Sequence, residues 1–356
     1  MIQLRRRKRL RVLLLQLDGK LPSVALMRIA AHHRDRGDIV EYRSAPGLAG
    51  LTRNLGEERA DLVYASTIFT WTRPLVDELR ALRPDAIIGG TGADRGKSAC
   101  ERATLEKLGI GKRQDYSIYP RYTASIGYSQ RGCRLKCGFC DVWRAEPVLV
   151  EENTIADLWR GDPWPRHLHL LDNDFLGQPR WRAQLDAIRS GGFKVCFNQG
   201  INARLIKDAH AREIASVDYR DQEFEERRLY VAWDNVGDED DLFRGLECLK
   251  RAGVSPADVI VYMLVGFVGE GLPPGPIVES DLYREKKIRE WGAQPYPMPY
   301  RDGVDDARRD LAGFLRWSLR WSRSYSWAQF VEADYQPRNL TKPDAAHEAA
   351  QRRLFA

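Results

Sequence analysis

The sequence has no long hydrophobic run. Its longest spans residues 259–268, about half of the ~20 apolar residues a bilayer span requires, which suits a buried strand better. Cysteine is scarce, at 6 in 356 residues, which excludes a disulfide framework and makes a reducing cytoplasm the expected compartment. A secretory leader is not expected either. The apolar stretch behind the basic start covers only residues 12–15, against an h-region of about 7–15 residues. An excess of charge is also absent from most of the chain. The formal net charge is +6, yet Arg5, Arg6, Arg7, Lys8, Arg9 and Arg11 supply all of it. The protein therefore reads as a neutral body carrying a six-cation arm, residues 1–11.

What is present is ordinary for a globular chain: 43% hydrophobic and 30% charged residues, which excludes wholesale disorder. A length of 356 residues exceeds what one core usually organises, about 250–300, so two globular units, or a core plus appendages, are expected. From residue 12 onward strands and helices alternate. Strands are expected at residues 12–17, 39–42, 61–66 and 86–88. A helix follows Pro22, with Leu26, Ile29, Ala30 and His33 on one face, and another covers residues 72–82, ended by Pro84. This alternation predicts a doubly wound, Rossmann-like α/β domain over residues 12–95. Residues 96–122 are charged and irregular and read as a linker.

A second strand–helix series begins at residue 124. Strands are expected at residues 124–128, 167–171, 194–197, 228–233, 259–265 and, more weakly, 296–298, with helices at 181–188 and 239–252 among them. Six units over residues 123–302 predict a partial (β/α)6 barrel, two units short of closure. Polar or special residues follow each strand: the stretch from Gln130 to Cys133, then Asp172-Asn173-Asp174, Asn198-Gln199, Trp233-Asp234-Asn235, Gly266, and Tyr300-Arg301. Ligands bind at that end of parallel β/α barrels. Residues 303–356 read as a helical C-terminal extension. In it Leu311, Phe314, Trp317 and Trp321 form one stripe and Arg316, Arg320 and Arg323 a neighbouring one. An amphipathic helix docked on the open barrel explains this. An aromatic–basic platform for single-stranded nucleic acid is the sharper alternative. The loop 269–276, rich in Gly and Pro, is either a cover for the site or plain surface.

The chemistry lies in Cys133, Cys137 and Cys140, spaced C-x3-C-x2-C behind the first barrel strand. Three thiolates on one tight loop can hold three corners of a soft metal centre. Gly132 and Gly138 allow the loop to wrap, and Arg131, Arg134 and Lys136 offset thiolate charge. Burial as plain apolar residues suits Cys100, Cys196 and Cys248 better than it suits this trio. A zinc site with His167 or His169 as fourth ligand is the rival, although a second paired ligand motif is missing.

The cysteine spacing, Phe139 before the third cysteine and the strand–helix series resemble the radical S-adenosylmethionine enzymes over residues 123–302. The resemblance implies a 4Fe–4S cluster on Cys133, Cys137 and Cys140, whose open iron chelates S-adenosylmethionine. Reductive cleavage of the sulfonium would then yield a 5′-deoxyadenosyl radical that abstracts hydrogen from a substrate the sequence does not identify. It also implies an electron donor of flavodoxin or ferredoxin type. For the cofactor-binding residues it implies Phe139 near adenine, with Gly266 admitting the adenine by close backbone approach. Asp172, Asn173 or Asp174 would meet the ammonium group, where the family commonly has Gly-Gly-Glu. Asn198 and Gln199 would reach the ribose, Arg204 the carboxylate, and Asp234 the ribose or the substrate. By strand alternation Asp172 and Asp174 share one side and Asn173 takes the other.

Residues 12–95 resemble the cobalamin-binding domain that precedes the barrel in many radical enzymes, through the first strand ending at Asp18 and the stretch Ile88-Gly89-Gly90-Thr91-Gly92. The cobalt-ligating motif Asp-x-His-x-x-Gly is missing: this chain reads Asp18-Gly19-Lys20-Leu21-Pro22-Ser23. His32 and His33 fall inside a predicted helix. The expectation is the fold without histidine-ligated cobalamin. The glycines after Ile88 are read as a tight turn in preference to a phosphate loop. The rival readings are a cobalamin-dependent radical methyltransferase and a non-catalytic zinc or iron–sulfur module.

Overall fold

The computed structural model describes residues 8–44, 47, 50–51, 60–93, 101–269, 274–300, 309–336 and 338, with the backbone alone at 101–103. Arg5, Arg6, Arg7, Cys100 and Arg301, the middle of the 269–276 loop and most of the stretch beyond residue 336 lie outside it. The described chain is mixed α/β, built on parallel sheets, and divides into two units. One holds the described residues of Met1–Thr123 and Cys140–Pro147, the other those of Ala124–Phe139, Val148–Asp302 and Asp306–Ala356.

In the first unit, strands β1 (Arg11–Gln16), β2 (Ile39–Ser44), β3 (Leu62–Ser66) and β4 (Ile87–Gly89) form one parallel sheet in the order β2-β1-β3-β4. β1 is central, and its run Val12 to Gln16 is buried along its whole length, as expected where both faces of a parallel sheet are covered. Helix α1 (Val24–Asp35) starts at Ser23, whose hydroxyl accepts from the Leu26 N–H at 3.3 Å, satisfying one orphan donor of the first turn. Helix α2 (Arg73–Leu82) has proline in its first turn, where no N–H is missed. The expected strands and helices of residues 12–95 are thus in place.

The described part of the segment expected as a linker, residues 101–122, is folded. It carries helix α3 (Glu101–Lys107), and its later part packs on the first unit. The buried Arg28 of α1 donates to the Gly111 carbonyl at 2.7 Å, the Asp115 N–H donates to Met27 at 3.0 Å, and Tyr119 donates to Gln16 Oε1 at 2.7 Å. Of the basic arm, Lys8 is ion-paired with Asp61 at 3.0 Å.

The second unit carries β5 (Ser125–Gly127), β6 (Gln130–Arg131), β7 (Val150–Glu151), β8 (His167–Leu170), β9 (Lys194–Phe197), β10 (Asp218–Tyr219), β11 (Leu229–Ala232), β12 (Val259–Val265) and β13 (Gln294–Pro299). One parallel sheet runs β10-β9-β8-β5 and another β11-β12-β13, while β6 and β7 pair as a short antiparallel hairpin. A parallel bridge from Ile201 to Val231 joins β9's continuation to β11. The strands β5, β8, β9, β11, β12 and β13 therefore follow in chain order as the six strands of a partial (β/α)6 barrel. Helices α4 (Trp181–Ser190), α5 (Asp208–Ala215), α6 (Glu239–Arg251) and α7 (Glu279–Trp291) alternate with them.

Alternation sorts the two faces of the wall. Val259, Val261, Met263 and Val265 of β12 have zero exposure and share a core with Leu242, Leu246 and Leu249 of α6 and Ile288 of α7. The opposite phase carries a row of tyrosines. Tyr230 stacks on Tyr262 at 5.4 Å between ring centroids, and Tyr262 meets Tyr296 edge-on at 5.6 Å. The C-terminal helices α8 (Arg309–Arg320) and α9 (Trp327–Glu332) bring Leu311, Phe314, Trp317 and Phe330 into the same core, with Trp321 partly buried beside them. The tryptophan stripe is a docking face, as an amphipathic helix requires, and Arg316, Arg320 and Arg323 stay exposed.

Candidate active site

The ends of the barrel strands carry the polar residues, and the reason is local. Each parallel strand exhausts its apolar run at its C-terminal end, where the chain must turn into a helix and its backbone groups need caps. At β9 the chain passes through Asn198 and Asn202 into a tight turn, Ala203–Leu205. The Asn202 side chain accepts from the Arg204 N–H at 3.2 Å and from its Nε at 3.1 Å. Arg204 Nη1 donates to Asp238 at 2.6 Å. At β11 the chain continues into the buried Trp233, whose indole N–H donates to the Asn235 carbonyl at 2.8 Å. Asp234 follows, accepting from the Leu264 N–H of the neighbouring strand at 2.9 Å.

Cys137 belongs to this group. Burial pushes its thiol up, the Arg204 guanidinium draws it back by charge and a hydrogen bond, and Asp234 and Asp238 add to the rise. Burial likewise raises the Asp234 carboxyl, against its bond from Leu264 and the charges of Arg284 and Arg204. One thiol, one guanidinium and two carboxylates from three separate chain segments thus act on one another. Arg284 of α7 supports them from behind, donating to the carbonyls of Trp233 and Leu264 at 2.7 Å each and to Asp281 at 2.6 Å.

Cys133, Cys137 and Cys140 are half-buried and form no disulfide. The Leu135 N–H points at Cys133 Sγ at 3.4 Å. The Arg144 guanidinium donates to the Cys140 carbonyl at 2.6 Å. Among the described residues no three His, Cys, Asp or Glu side chains stand close enough together to hold a metal ion. The histidines of the zinc alternative are engaged elsewhere. His167 and His169 both stack on Phe224, at 4.4 and 4.7 Å, and His169 Nε2 lies 2.9 Å from the Gln222 carbonyl. Burial lowers the His169 imidazole to about 4.

The aspartates after β8 turn toward the cysteine loop. Asp172 is 4% exposed and accepts from the Ser129 N–H at 2.7 Å, the Gln130 N–H at 3.0 Å and the Ser129 hydroxyl. Burial pushes its carboxyl up to about 6, and these bonds hold it from rising further. Asp174 is 2% exposed and takes a two-pronged bond from Arg134, at 2.7 and 3.1 Å. Strand β8 ends at Leu170 and Asn173 and Asp174 lie in a turn, so strand alternation does not extend to the acids; Asn173 between them is half-buried. Ser129 and Gln178, which bond each other at 2.9 Å, carried no signal in the sequence beyond their place after a strand.

Phe139 meets Phe267 edge-on at 5.7 Å, and Phe267 meets Tyr300 at 5.0 Å. Asn198 is distinctive: both polar atoms of its amide are buried without a hydrogen-bond partner. Gln199 beside it is exposed. Gly266 adopts φ +81°, and a Cβ there would lie 2.8 Å from Leu311 and 3.2 Å from the Gly275 carbonyl. Its open side is thus occupied by the C-terminal helix and the following loop.

In the first unit, Asp18 at the end of β1 accepts four bonds: from the hydroxyls of Thr67 and Thr72 at 2.7 and 2.8 Å, and from the N–H groups of Ile68 and Phe69 at 2.7 and 3.0 Å. His33 in α1 is buried between Asp38 at 2.8 Å and the Tyr64 hydroxyl at 3.1 Å. Gly90 at φ +103° presses on β3, since a Cβ there would lie 1.9 Å from the Thr67 carbonyl. A tight turn is what these glycines form.

No protein-family model matches the chain, and no curated protein matches it. Among solved structures, the chain is similar to the cobalamin-dependent S-adenosylmethionine radical enzyme OxsB with aqua-cobalamin bound, at a TM-score of 0.39 and 12% sequence identity. The match covers 98% of this chain and 55% of that one, so the chain spans about half the length of OxsB.

Proposed function

We propose that the chain is a radical S-adenosylmethionine enzyme. The observation that carries the reading is the C-x3-C-x2-C loop behind the first strand of a six-stranded parallel wall, with Cys137 acting on Arg204, Asp234 and Asp238 at the ends of later strands. The donor set fits a 4Fe–4S cluster in kind: three thiols within eight residues, none in a disulfide, and one already facing a backbone N–H. Hydrogen bonds to sulfur are a recognised tuning element of such clusters. Cys133, Cys137 and Cys140 would hold three of its irons. When bound, the cluster supplies the electron for reductive cleavage of S-adenosylmethionine.

The rest falls to the chain's own residues. The thiols draw together as metal binds, because such sites rarely preform without it. Cys137 releases its proton on binding, and Arg204, held by Asp238 and Asn202, offsets the thiolate charge that results. Asn198 offers a carbonyl and an amide N–H, both lacking partners, to ribose hydroxyls. Phe139, packed edge-on against Phe267, would present an apolar surface beside the third cysteine. The electron comes from a flavodoxin- or ferredoxin-type protein in the cytoplasm, and the hydrogen-donating substrate is left open.

The test is anaerobic reconstitution with iron and sulfide. About four irons per chain and a visible charge-transfer band are expected, with 5′-deoxyadenosine formed once reductant and S-adenosylmethionine are added. Cys137→Ala should abolish the band. Zinc without colour, an unchanged band in the variant, or a reduced cluster that yields no 5′-deoxyadenosine overturns the reading.

A further inference from the structure

We propose that Asp172 and Asp174 form a clamp that holds the cysteine loop by its flanks, making both acids positioning residues for the cysteines. The inference rests on the cluster reading only for its purpose. The clamp itself is built from this chain's own bonds.

The loop leaves β5 at Tyr128 and reaches Cys133 six residues after Gly127. Two grips act on it. At its root, Asp172 accepts two successive backbone N–H groups, Ser129 at 2.7 Å and Gln130 at 3.0 Å, and the Ser129 hydroxyl besides. That hydroxyl in turn accepts from Gln178 at 2.9 Å, so it is fixed from both sides. Beside Cys133, Asp174 takes Arg134 Nε at 2.7 Å and Nη2 at 3.1 Å, a fork geometry that fixes direction as well as distance. Gln130 adds a third tie by donating to the Asp174 carbonyl.

The place where the second grip closes is shaped for it. A Cβ on Gly177 would lie 2.3 Å from Asp174 Oδ2 and 2.7 Å from Arg134 Nε. Only glycine leaves room for the pair. Asp174 is itself 2% exposed, so its charge has been taken out of water, and a buried carboxylate needs such a partner to be tolerated. Neither acid is turned outward. The carboxylate oxygens of both are spent on residues 129–134, the stretch that ends at the first cysteine.

A stiff root to the cysteine loop is the mechanical consequence. Residues 129–134 are held in place at both ends of the stretch that leads to the first cysteine.

The test uses the full chain in its metal-free and reconstituted forms, with Arg134→Ala, Asp174→Asn, their double variant and Arg134→Lys. Alkylation of each cysteine by iodoacetamide is followed by peptide-resolved mass spectrometry. In the metal-free protein, Arg134→Ala and Asp174→Asn should each speed alkylation of Cys133 by about tenfold, and the double variant no further, because the pair acts as a unit. Cys196, buried in β9, should keep its rate and so report an intact fold. Arg134→Lys, which retains the charge but not the fork, should restore part of the protection. After reconstitution the first two variants should hold less iron and show a broadened paramagnetic signal for the reduced cluster, again with partial rescue by lysine.

Rates for Cys133 within about twofold of wild type in both single variants, or effects that multiply in the double variant, overturn the clamp. So does a loss of S-adenosylmethionine affinity in Asp174→Asn with Cys133 protection unchanged, since that places the acid on the ligand. If wild type takes up no cluster, the enzyme reading fails, while the metal-free alkylation rates still decide the clamp.

Discussion

Gly245 lies in the middle of α6, where the case for replacing it looks simple. Alanine is favoured over glycine in a helix interior by about 1 kcal/mol. The tertiary structure reverses the sign. A Cβ on Gly245 would stand 1.9 Å from the Ala203 carbonyl oxygen and 2.8 Å from its carbon, more than 1 Å short of the closest approach that real Cβ atoms show, about 3.0 Å. Both partners are backbone, so no side chain can swing aside. Helix α6 must lift, or the 203–205 turn must move, and overpacking of this kind costs about 1–3 kcal/mol. That turn carries Arg204, which reaches Asp238 at 2.6 Å and acts on Cys137. Gly245→Ala should therefore be destabilising by up to about 2 kcal/mol net of the helix gain. It should also change the alkylation rate of Cys137, which a remote core defect would leave alone. Urea unfolding followed by far-ultraviolet circular dichroism gives the first number, and peptide-resolved alkylation gives the second. A variant more stable than wild type, with the alkylation rate of Cys137 unchanged, would refute the close approach of α6 to the Arg204 turn.

Two further outcomes test particular groups. Asp172 has its carboxyl pushed by burial from 3.8 to about 6, so the folded state binds its proton more tightly than the unfolded state does. Its contribution to stability is full below the unfolded value and is lost as pH rises through about 6, a term of roughly 3 kcal/mol. Asp172→Asn removes that term, so its stability relative to wild type should improve steadily across that range. Parallel pH curves in urea midpoints would refute the burial argument. Asn198 buries two unpartnered amide atoms, a cost of about 1–3 kcal/mol to the ligand-free fold. Asn198→Leu should raise the unfolding midpoint of the ligand-free protein and weaken S-adenosylmethionine binding in equilibrium dialysis. Unchanged affinity would detach this residue from the proposed site.

How much of this was legible beforehand depends on distance along the chain. Buried parallel strands announce themselves as apolar runs, so β9 and β12 begin and end where the sequence places them, and β1 lies within one residue of its expected span. The two-residue strands β6, β7 and β10 are too short to show a period, and the sequence did not signal them. The charged stretch before residue 122 looked like a linker because its anchors, the buried Leu105, Ile110, Tyr116 and Ile118 and single bonds to α1 and β1, are spread along it with no helical or strand period.

The cysteine spacing could be read directly, since its meaning lies within eight consecutive residues. The strand ends could be located, because each marks the limit of an apolar run. The burial of Asp172 and Asp174 at the end of β8 follows the same limit. Their partners do not. Ser129 and Arg134 lie some forty residues upstream, and only the pairing of β5 with β8, Ser125 against Leu168, brings them within hydrogen-bonding distance. Gly266 needed the same information, since the side chain that fills its open face, Leu311, comes from the C-terminal helix. The sequence by itself determined the succession of strands and the kind of chemistry the thiols can support. The tertiary structure decided which polar atoms the acids spend their charge on, because a carboxylate's partner is chosen by proximity in space and leaves no periodic trace in the chain.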